Sequence, residues 1–156
     1  MGKFRGQFNC SVDDKGRIKM PVSFKQQFDP ADKGSFMIKK GLDDCLEIYP
    51  LAIWTKEEER LDRLDDYNPI HRAFRGTFIL GITELTLDGS DRFLIPKSLM
   101  GYLNNTREVI MVGDLNLIKI WEPSKLHDFT SVTLPNMHQY SIEVSNYLNE
   151  LERNKK

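Results

Sequence analysis

The ten residues VDDKGRIKMP, Val12 to Pro21, return 75 positions later as LDGSDRFLIP, Leu87 to Pro96. Each copy has an apolar residue, an aspartate, an arginine four places on, and a proline four places after that. The likeness runs past the motif. Gly6 answers Gly81, Val12 answers Leu87, Arg17 answers Arg92, Pro21 answers Pro96 and Phe24 answers Leu99. After a short deletion Gly41, Leu46 and Tyr49 answer Gly113, Ile118 and Trp121. A duplication redefines the unit of folding. A unit of about 50 residues buries little core by itself, so the two copies must share one.

Each copy predicts the same order of elements. Phe8, Cys10 and Val12 alternate, and Ile18 and Met20 alternate after the turn, the period-2 pattern of a hairpin with one buried face. FMIKK (36–40) and CLEIY (45–49) form a second strand pair around Gly41. Between the pairs, PVSFKQQF opens with proline at a first helical position and predicts one to two turns of helix. The order is β-β-α-β-β, twice, in an α+β chain. The first half spans 4–50 and the second 78–123, joined by a helical connector over 51–77 and followed by a helical segment over 124–156. The connector holds a charged helix, 51–66, with Trp54, Leu61 and Leu64 as its apolar stripe, and a second helix after the Asn68-Pro69 break. The C-terminal residues 141–156 pattern as an amphipathic helix.

Turn chemistry accounts for part of the motif. Asp13 and Asp88 can accept backbone N–H groups across a tight turn, and Gly16 supplies a left-handed position. The second copy carries Asp91 where the first has Gly16, which predicts a surviving turn of altered geometry. An ion pair from Arg17 or Arg92 back to the turn aspartate stabilises little at an exposed site, a poor reason to place the arginine twice.

Several function classes are excluded by what the chain lacks. No apolar run reaches the roughly 20 residues that span a bilayer, and the N-terminus has no apolar signal core, so a cytoplasmic protein without a membrane partner is expected. Cys10 and Cys45 stand apart without metal-ligand spacing, which predicts reduced, buried thiols and no metal site. Asp13 and Asp88 lack the Ser/Thr-Gly context of an aspartic-protease dyad, and each has an arginine that holds it ionised. His71, His127 and His138 have no nucleophile at a recognisable spacing, and no phosphate-binding glycine loop is present. No catalysis, cofactor or small-molecule substrate is expected.

The net charge of −1 hides an asymmetry. Residues 1–40 carry nine basic side chains against four acidic, and residues 41–70 carry three against nine. One end of the chain therefore attracts polyanions.

FRGQFNCSVDDKGRIKMP (4–21), NPIHRAFRGTFILG (68–81) and LDGSDRFLIP (87–96) together resemble the MraZ family, whose hallmark is a duplicated Asp-x-x-x-Arg motif. The similarity covers nearly the whole chain and departs from the pattern at Asp91, at Gly76 and in the C-terminal tail. It implies two tandem AbrB-like halves forming a swapped-hairpin-type β-barrel with added helices, assembled into a ring-like homo-oligomer. It also implies a bacterial, nucleoid-associated transcription regulator that binds short direct repeats in double-stranded DNA upstream of its own operon, the division and cell-wall gene cluster. Lys15 and Arg17 are the positions that resemble the family's DNA-contacting residues.

The residues fit that implication. A hairpin tip with Lys15 and Arg17 can enter a major groove, where an arginine reads guanine bidentately for about 1–3 kcal/mol. Arg5, Lys3 and Lys19 are assigned to phosphates. Asp13, Gly16, Asp88 and Arg92 are assigned to the turns, with Arg92 set among Asp88 and Asp91. Two rival readings remain: an AbrB-type antitoxin, against which two full copies argue, and a ring-forming scaffold whose acidic helix with Trp54 is an interaction surface.

Overall fold

A computed structural model describes residues 2–155, which divide after Pro123 into two compact units. The first unit holds eight strands: β1 Gln7–Ser11, β2 Arg17–Lys19, β3 Ser35–Lys40, β4 Leu46–Pro50, β5 Thr83–Thr86, β6 Arg92–Leu94, β7 Glu108–Asp114 and β8 Leu117–Trp121. Single-turn helices α1 (Val22–Lys25) and α4 (Lys97–Met100) follow β2 and β6, each starting after the motif proline. The connector forms α2 (Leu51–Asp62) and α3 (Pro69–Phe78). Asn68 caps α3, its Oδ1 accepting from the amides of Ile70 and His71, with Pro69 at the first helical position.

The second strand pair of each copy forms as expected, β3 with β4 and β7 with β8, but the first pair does not make the hairpin that its alternation predicts. β1 and β2 touch through one bridge, Val12 to Ile18. Instead β1 runs antiparallel to β7 of the other copy, with Gln7 opposite Val112 and Ser11 opposite Glu108. The equivalent β5 runs against β3, and β4 meets β8 in the middle. One six-stranded antiparallel sheet results, in the order β1-β7-β8-β4-β3-β5. β2 and β6 form a separate two-stranded ribbon. Hydrogen bonds cross between copies in matching pairs: Met20 N to Asp91 O and Ile95 N to Gly16 O, Val12 N to Arg107 O and Leu87 N to Gly34 O. The fold is α+β, but the barrel expected from the resemblance is not closed: β1 and β5 are sheet edges among the described residues. Period-2 alternation says that a strand has one buried face; it says nothing of which strand lies beside it.

The pairing also corrects the alignment of the copies. Cys10 lies opposite Val109 and its equivalent Leu85 lies opposite Phe36, so Phe36 corresponds to Val109 and Gly113 corresponds to Lys40, not to Gly41. Gly113 answers a steric need. A Cβ there would come within 2.5 Å of the Phe4 carbonyl carbon and 2.6 Å of the Arg5 nitrogen, because the N-terminal segment crosses it.

The core draws on both copies. Ile18, Phe24, Phe36 and Ile48 from the first pack with Phe93 and Ile118 from the second, all buried. A charged pair is buried beside it. Lys39 Nζ donates to Lys40 O (2.6 Å), lies 3.4 Å from Glu47 Oε1, and sits 4.0 Å from the Phe78 ring centroid. Tyr49 OH donates to the same Glu47 oxygen at 2.8 Å. Such a pair survives burial because its donors and acceptors are satisfied. Burial still pushes the Lys39 ammonium below its ordinary value. Phe78 also stacks on Trp54 at 6.1 Å, so α3 is anchored to the sheet through one aromatic side chain. α2 ends at Asp62, short of the expected 66, with Trp54 and Leu61 as its buried residues.

The second unit holds all but the first residue of α5 (Pro123–Thr133), which leads through a 3-10 turn at Leu134–Asn136 into α6 (Met137–Asn154), a helix that starts four residues before the one read from sequence. Lys156 of the expected segment lies outside the described residues. Neither thiol is in a disulfide. Cys45 is buried, which pushes its pKa up to about 12, while Cys10 is half-buried rather than fully so. No described helix is long and apolar enough to cross a membrane, and no group of three metal-ligating side chains gathers among the described residues.

Candidate nucleic-acid interface

The two motif turns share one hydrogen-bond plan. Asp13 Oδ1 accepts from the amides of Lys15 and Arg17, both at 2.9 Å, and Asp13 Oδ2 accepts from Arg17 Nε at 2.8 Å. Asp88 Oδ1 accepts from the amides of Ser90 (2.8 Å) and Arg92 (3.0 Å), and its Oδ2 from Arg92 Nε at 3.2 Å. Gly16 sits at φ +86° and Asp91 at φ +63°, so the aspartate takes the left-handed position without changing the turn. The altered geometry expected for the second turn is therefore small. In both turns the aspartate holds the arginine by Nε, leaving the two Nη groups without a hydrogen-bond partner among the described residues. Those are the groups that form a guanidinium's bidentate fork.

The ribbon brings the two arginines together. Arg17 lies opposite Leu94, Ile18 opposite Phe93 and Lys19 opposite Arg92. Residues directly opposite share a face. Ile18 and Phe93 turn inward and are buried, so Arg17, Lys19, Arg92 and Leu94 point outward together. At about 3.4 Å per strand residue, the three cations fit within roughly 10 Å. Sequence reasoning placed Arg92 in a second, acidic turn; the fold places it beside Lys19. The repeat offset held the clue, because equivalent strands paired antiparallel about a local two-fold at Ile18 and Phe93 place Arg17 and Arg92, each one residue before that centre, on the same face.

The acidic surroundings are also neutralised. Asp91 Oδ1 is 2.8 Å from Lys25 Nζ of α1, and Asp14 Oδ1 is 2.7 Å from Arg107 Nη1. With Asp13 and Asp88 on their arginines, all four turn carboxylates have a cation partner. The basic excess of residues 1–40 is in turn partly spent inside the fold. Lys39 is buried, Lys25 holds Asp91, and Lys40 Nζ donates to the carbonyls of Gly41 and Asp43. Lys15 and Lys19 remain exposed.

Arg5 and Lys3 lie elsewhere. The amide of Phe4 between them donates to Leu115 O at 2.8 Å, and Lys3 Nζ donates to Asn116 Oδ1. They stand beside the β7–β8 turn, at the opposite end of β1 from Arg17. The five residues of β1, at about 3.4 Å each, put roughly 17 Å of strand between those cations and the first turn. The sequence neighbourhood that joined Arg5 to Arg17 is not a spatial one.

The turn aspartates make the turns sensitive to acid. The backbone N–H of Arg17 and then the arginine side chain hold Asp13 below the ordinary carboxylate range, and the Arg92 N–H does the same for Asp88. A carboxyl depressed in the folded state contributes stability that is present above its unfolded value and lost as pH falls through the native one. In an acid titration followed by NMR, the amide signals of Lys15, Arg17, Ser90 and Arg92 are expected to hold steady down to about pH 4 and shift together below it. Titration at or above the ordinary aspartate value would contradict the turn geometry.

Comparison with known proteins adds an independent line. The chain matches the family described as "MraZ protein, putative antitoxin-like" over residues 3–76 and 78–141, one match on each side of Thr77. This chain belongs to the MraZ family. A relative from Clostridium tetani is 36% identical over 84% of this chain and 89% of its own length, and one from Clostridium acetobutylicum is 37% identical over 78% and 83%. A relative from Cytophaga hutchinsonii is 32% identical over 83% and 85%. All three carry the name transcriptional regulator MraZ. The MraZ match spans both copies of the duplication and the connector between them.

Proposed function

We propose that this chain is a DNA-binding transcription regulator whose reading surface is the outward face of the β2–β6 ribbon. The observation that carries this reading is the meeting of Arg17, Lys19 and Arg92 on one exposed face whose neighbouring carboxylates are all paired. A two-stranded ribbon fits a B-DNA major groove, about 12 Å wide. Arg17 presents its Nη fork to guanine, Lys15 at the turn tip contacts a base or phosphate, and Lys19 and Arg92 hold the flanking backbone. Lys3 and Arg5 take phosphates farther along, about five base-pair steps from Arg17. The exchanged strands support two AbrB-like halves of swapped-hairpin type, divided at 4–50 and 78–123. One ribbon reads few base pairs, so the chain works as a ring-like homo-oligomer that sets several faces against short direct repeats, and avidity supplies the affinity. The names of the relatives and the family resemblance support a cytoplasmic, nucleoid-associated regulator acting upstream of its own operon, the division and cell-wall cluster.

Mobility-shift titration on the DNA upstream of the chain's own gene, against a shuffled duplex, tests the reading. Specific binding is expected, with log K falling against log salt by about 0.9 per phosphate contacted, hence a slope near −3 or steeper for each copy. Affinity equal on both duplexes and flat in salt would remove the DNA-reading role. The exposed apolar residues of α3 and α6 would then favour the scaffold reading.

A further inference from the structure

One outward residue of the β2–β6 ribbon is not a cation. Leu94 is 54% exposed on the face that carries Arg17, Lys19 and Arg92. Its counterpart in the first copy, 75 positions earlier, is Lys19. Arg17 and Arg92 repeat each other, so the outward face of the paired strands departs from its local two-fold at this position alone. A lone exposed leucine is ordinary on a protein surface; this one is marked by its place. The core does not account for it, because the inward residues of the ribbon are Ile18 and Phe93.

The pairing sets Leu94 close to Arg17. Ile95 N donates to Gly16 O at 3.1 Å and Met20 N to Asp91 O at 2.9 Å, so Gly16 with Ile95 and Met20 with Asp91 are hydrogen-bonded pairs of the antiparallel ladder. Such pairs alternate. Arg17 with Leu94 and Lys19 with Arg92 are therefore the non-hydrogen-bonded ones, whose Cα atoms stand about 4.5 Å apart with side chains at their closest. The leucine also leans toward the first turn: its Cδ1 lies 3.6 Å from where a Cβ on Gly16 would stand. The ribbon thus has two unlike halves, a guanidinium fork beside an apolar side chain and a guanidinium beside an ammonium.

We propose that Leu94 is a second base-reading residue, packing on the 5-methyl group of a thymine next to the guanine that Arg17 reads. The thymine methyl is the apolar mark among the hydrogen-bonding groups of the major groove. Successive bases lie about 3.4 Å apart along a strand, close to the spacing of the Arg17–Leu94 pair, so the two side chains meet neighbouring base pairs. Arg17 sets the register in which the methyl is met, so the contact is made only with Arg17 on its guanine. Lys19, at the equivalent place, brings a hydrated charge that suits a phosphate and not a methyl. The step is therefore read in one direction, because turning the duplex round puts Lys19 where the methyl contact was. A symmetric ribbon would accept either orientation, whereas this one distinguishes them, as repeats that all point one way require. The inference rests on the DNA-reading role above and names a base chemistry for it.

Deoxyuridine in place of thymine removes the methyl and keeps the base pair, which makes the test clean. Each thymine of the upstream DNA is replaced in turn, and affinity is measured by mobility shift for the parent, Leu94→Ala and Leu94→Lys. One thymine beside a guanine in each repeat is expected to be sensitive, the parent losing about fourfold per ribbon when that methyl is removed. Leu94→Ala is expected to bind the thymine duplex about fourfold more weakly than the parent and to be indifferent to deoxyuridine at that site. Leu94→Lys should be equally indifferent, and its added charge should tighten binding to the shuffled duplex. Thermal melting checks the fold; the lysine variant, which carries the residue the first copy already has there, serves if the alanine variant is unstable. A parent that prefers the upstream DNA yet is indifferent to deoxyuridine at every thymine overturns the Leu94 assignment and leaves the DNA-reading role standing. Sensitivity that persists unchanged in both variants puts the methyl contact on another residue and overturns it likewise. A parent that binds upstream and shuffled DNA alike removes the DNA-reading role and this inference together.

Discussion

Arg17→Ala is expected to abolish discrimination between the upstream DNA and a shuffled duplex, with fold and oligomer mass unchanged. The Nη fork is the group that reads guanine, and its loss removes about 1–3 kcal/mol per ribbon, a 5- to 150-fold effect that multiplies across repeats bound by one assembly. The turn itself should survive, because Asp13 still accepts the amides of residues 15 and 17. Arg17→Lys separates reading from charge: a lysine keeps the phosphate attraction and loses the planar fork, so affinity for the shuffled duplex should stay while preference for the upstream sequence falls. Arg92→Ala is expected to weaken the same binding, since Arg92 faces outward beside Lys19 on the same ribbon. Unchanged affinity in Arg92→Ala would confine reading to the first copy. Full specificity in Arg17→Ala would mean that the ribbon face is not the reading surface.

Phe36→Ala is expected to cost about 3–5 kcal/mol, and to lower the melting temperature by on the order of 10 °C or more. The ring is buried, 5.4 Å from Phe93 and 5.8 Å from Phe28 by centroids. Its strand lies between β4 of its own copy and β5 of the other, so one cavity touches both halves. Unfolding of the first unit should therefore stay a single transition at a lower denaturant midpoint, reported alike by probes in either copy. If residues of 4–50 melt while residues of 78–123 hold, the copies are separable and the strand exchange described above is not what binds them.

Much of this was legible in the amino-acid sequence, wherever the cause is local. The β-β-α-β-β order, the prolines that open α1 and α4, the Asn68-Pro69 start of α3 and the aspartate-held turns all rest on residues within a few positions of one another. Alternation marked Ile18 as inward and Arg17 and Lys19 as outward, because a strand's side-chain period is two whatever lies beside it. α5 falls within the helical segment expected over 124–156, but the pattern gave it no bounds of its own, because its eleven residues carry no buried position and so no clear apolar stripe.

What the sequence could not decide was partnership. Alternation is the same whether β1 pairs with β2 or with β7, and only the shared core, which needs apolar faces from both copies, selects the exchange. Three consequences of that choice lay beyond any local pattern. Arg92 joined Arg17 and Lys19 on one face, Lys25 reached across to neutralise Asp91, and Arg5 and Lys3 were carried to the far end of β1. Charge counted along the chain assigns neighbours by sequence distance, whereas electrostatic potential depends on distance in space. The duplicated motif was therefore visible in the sequence, and only the tertiary structure decided that its two arginines stand on one surface.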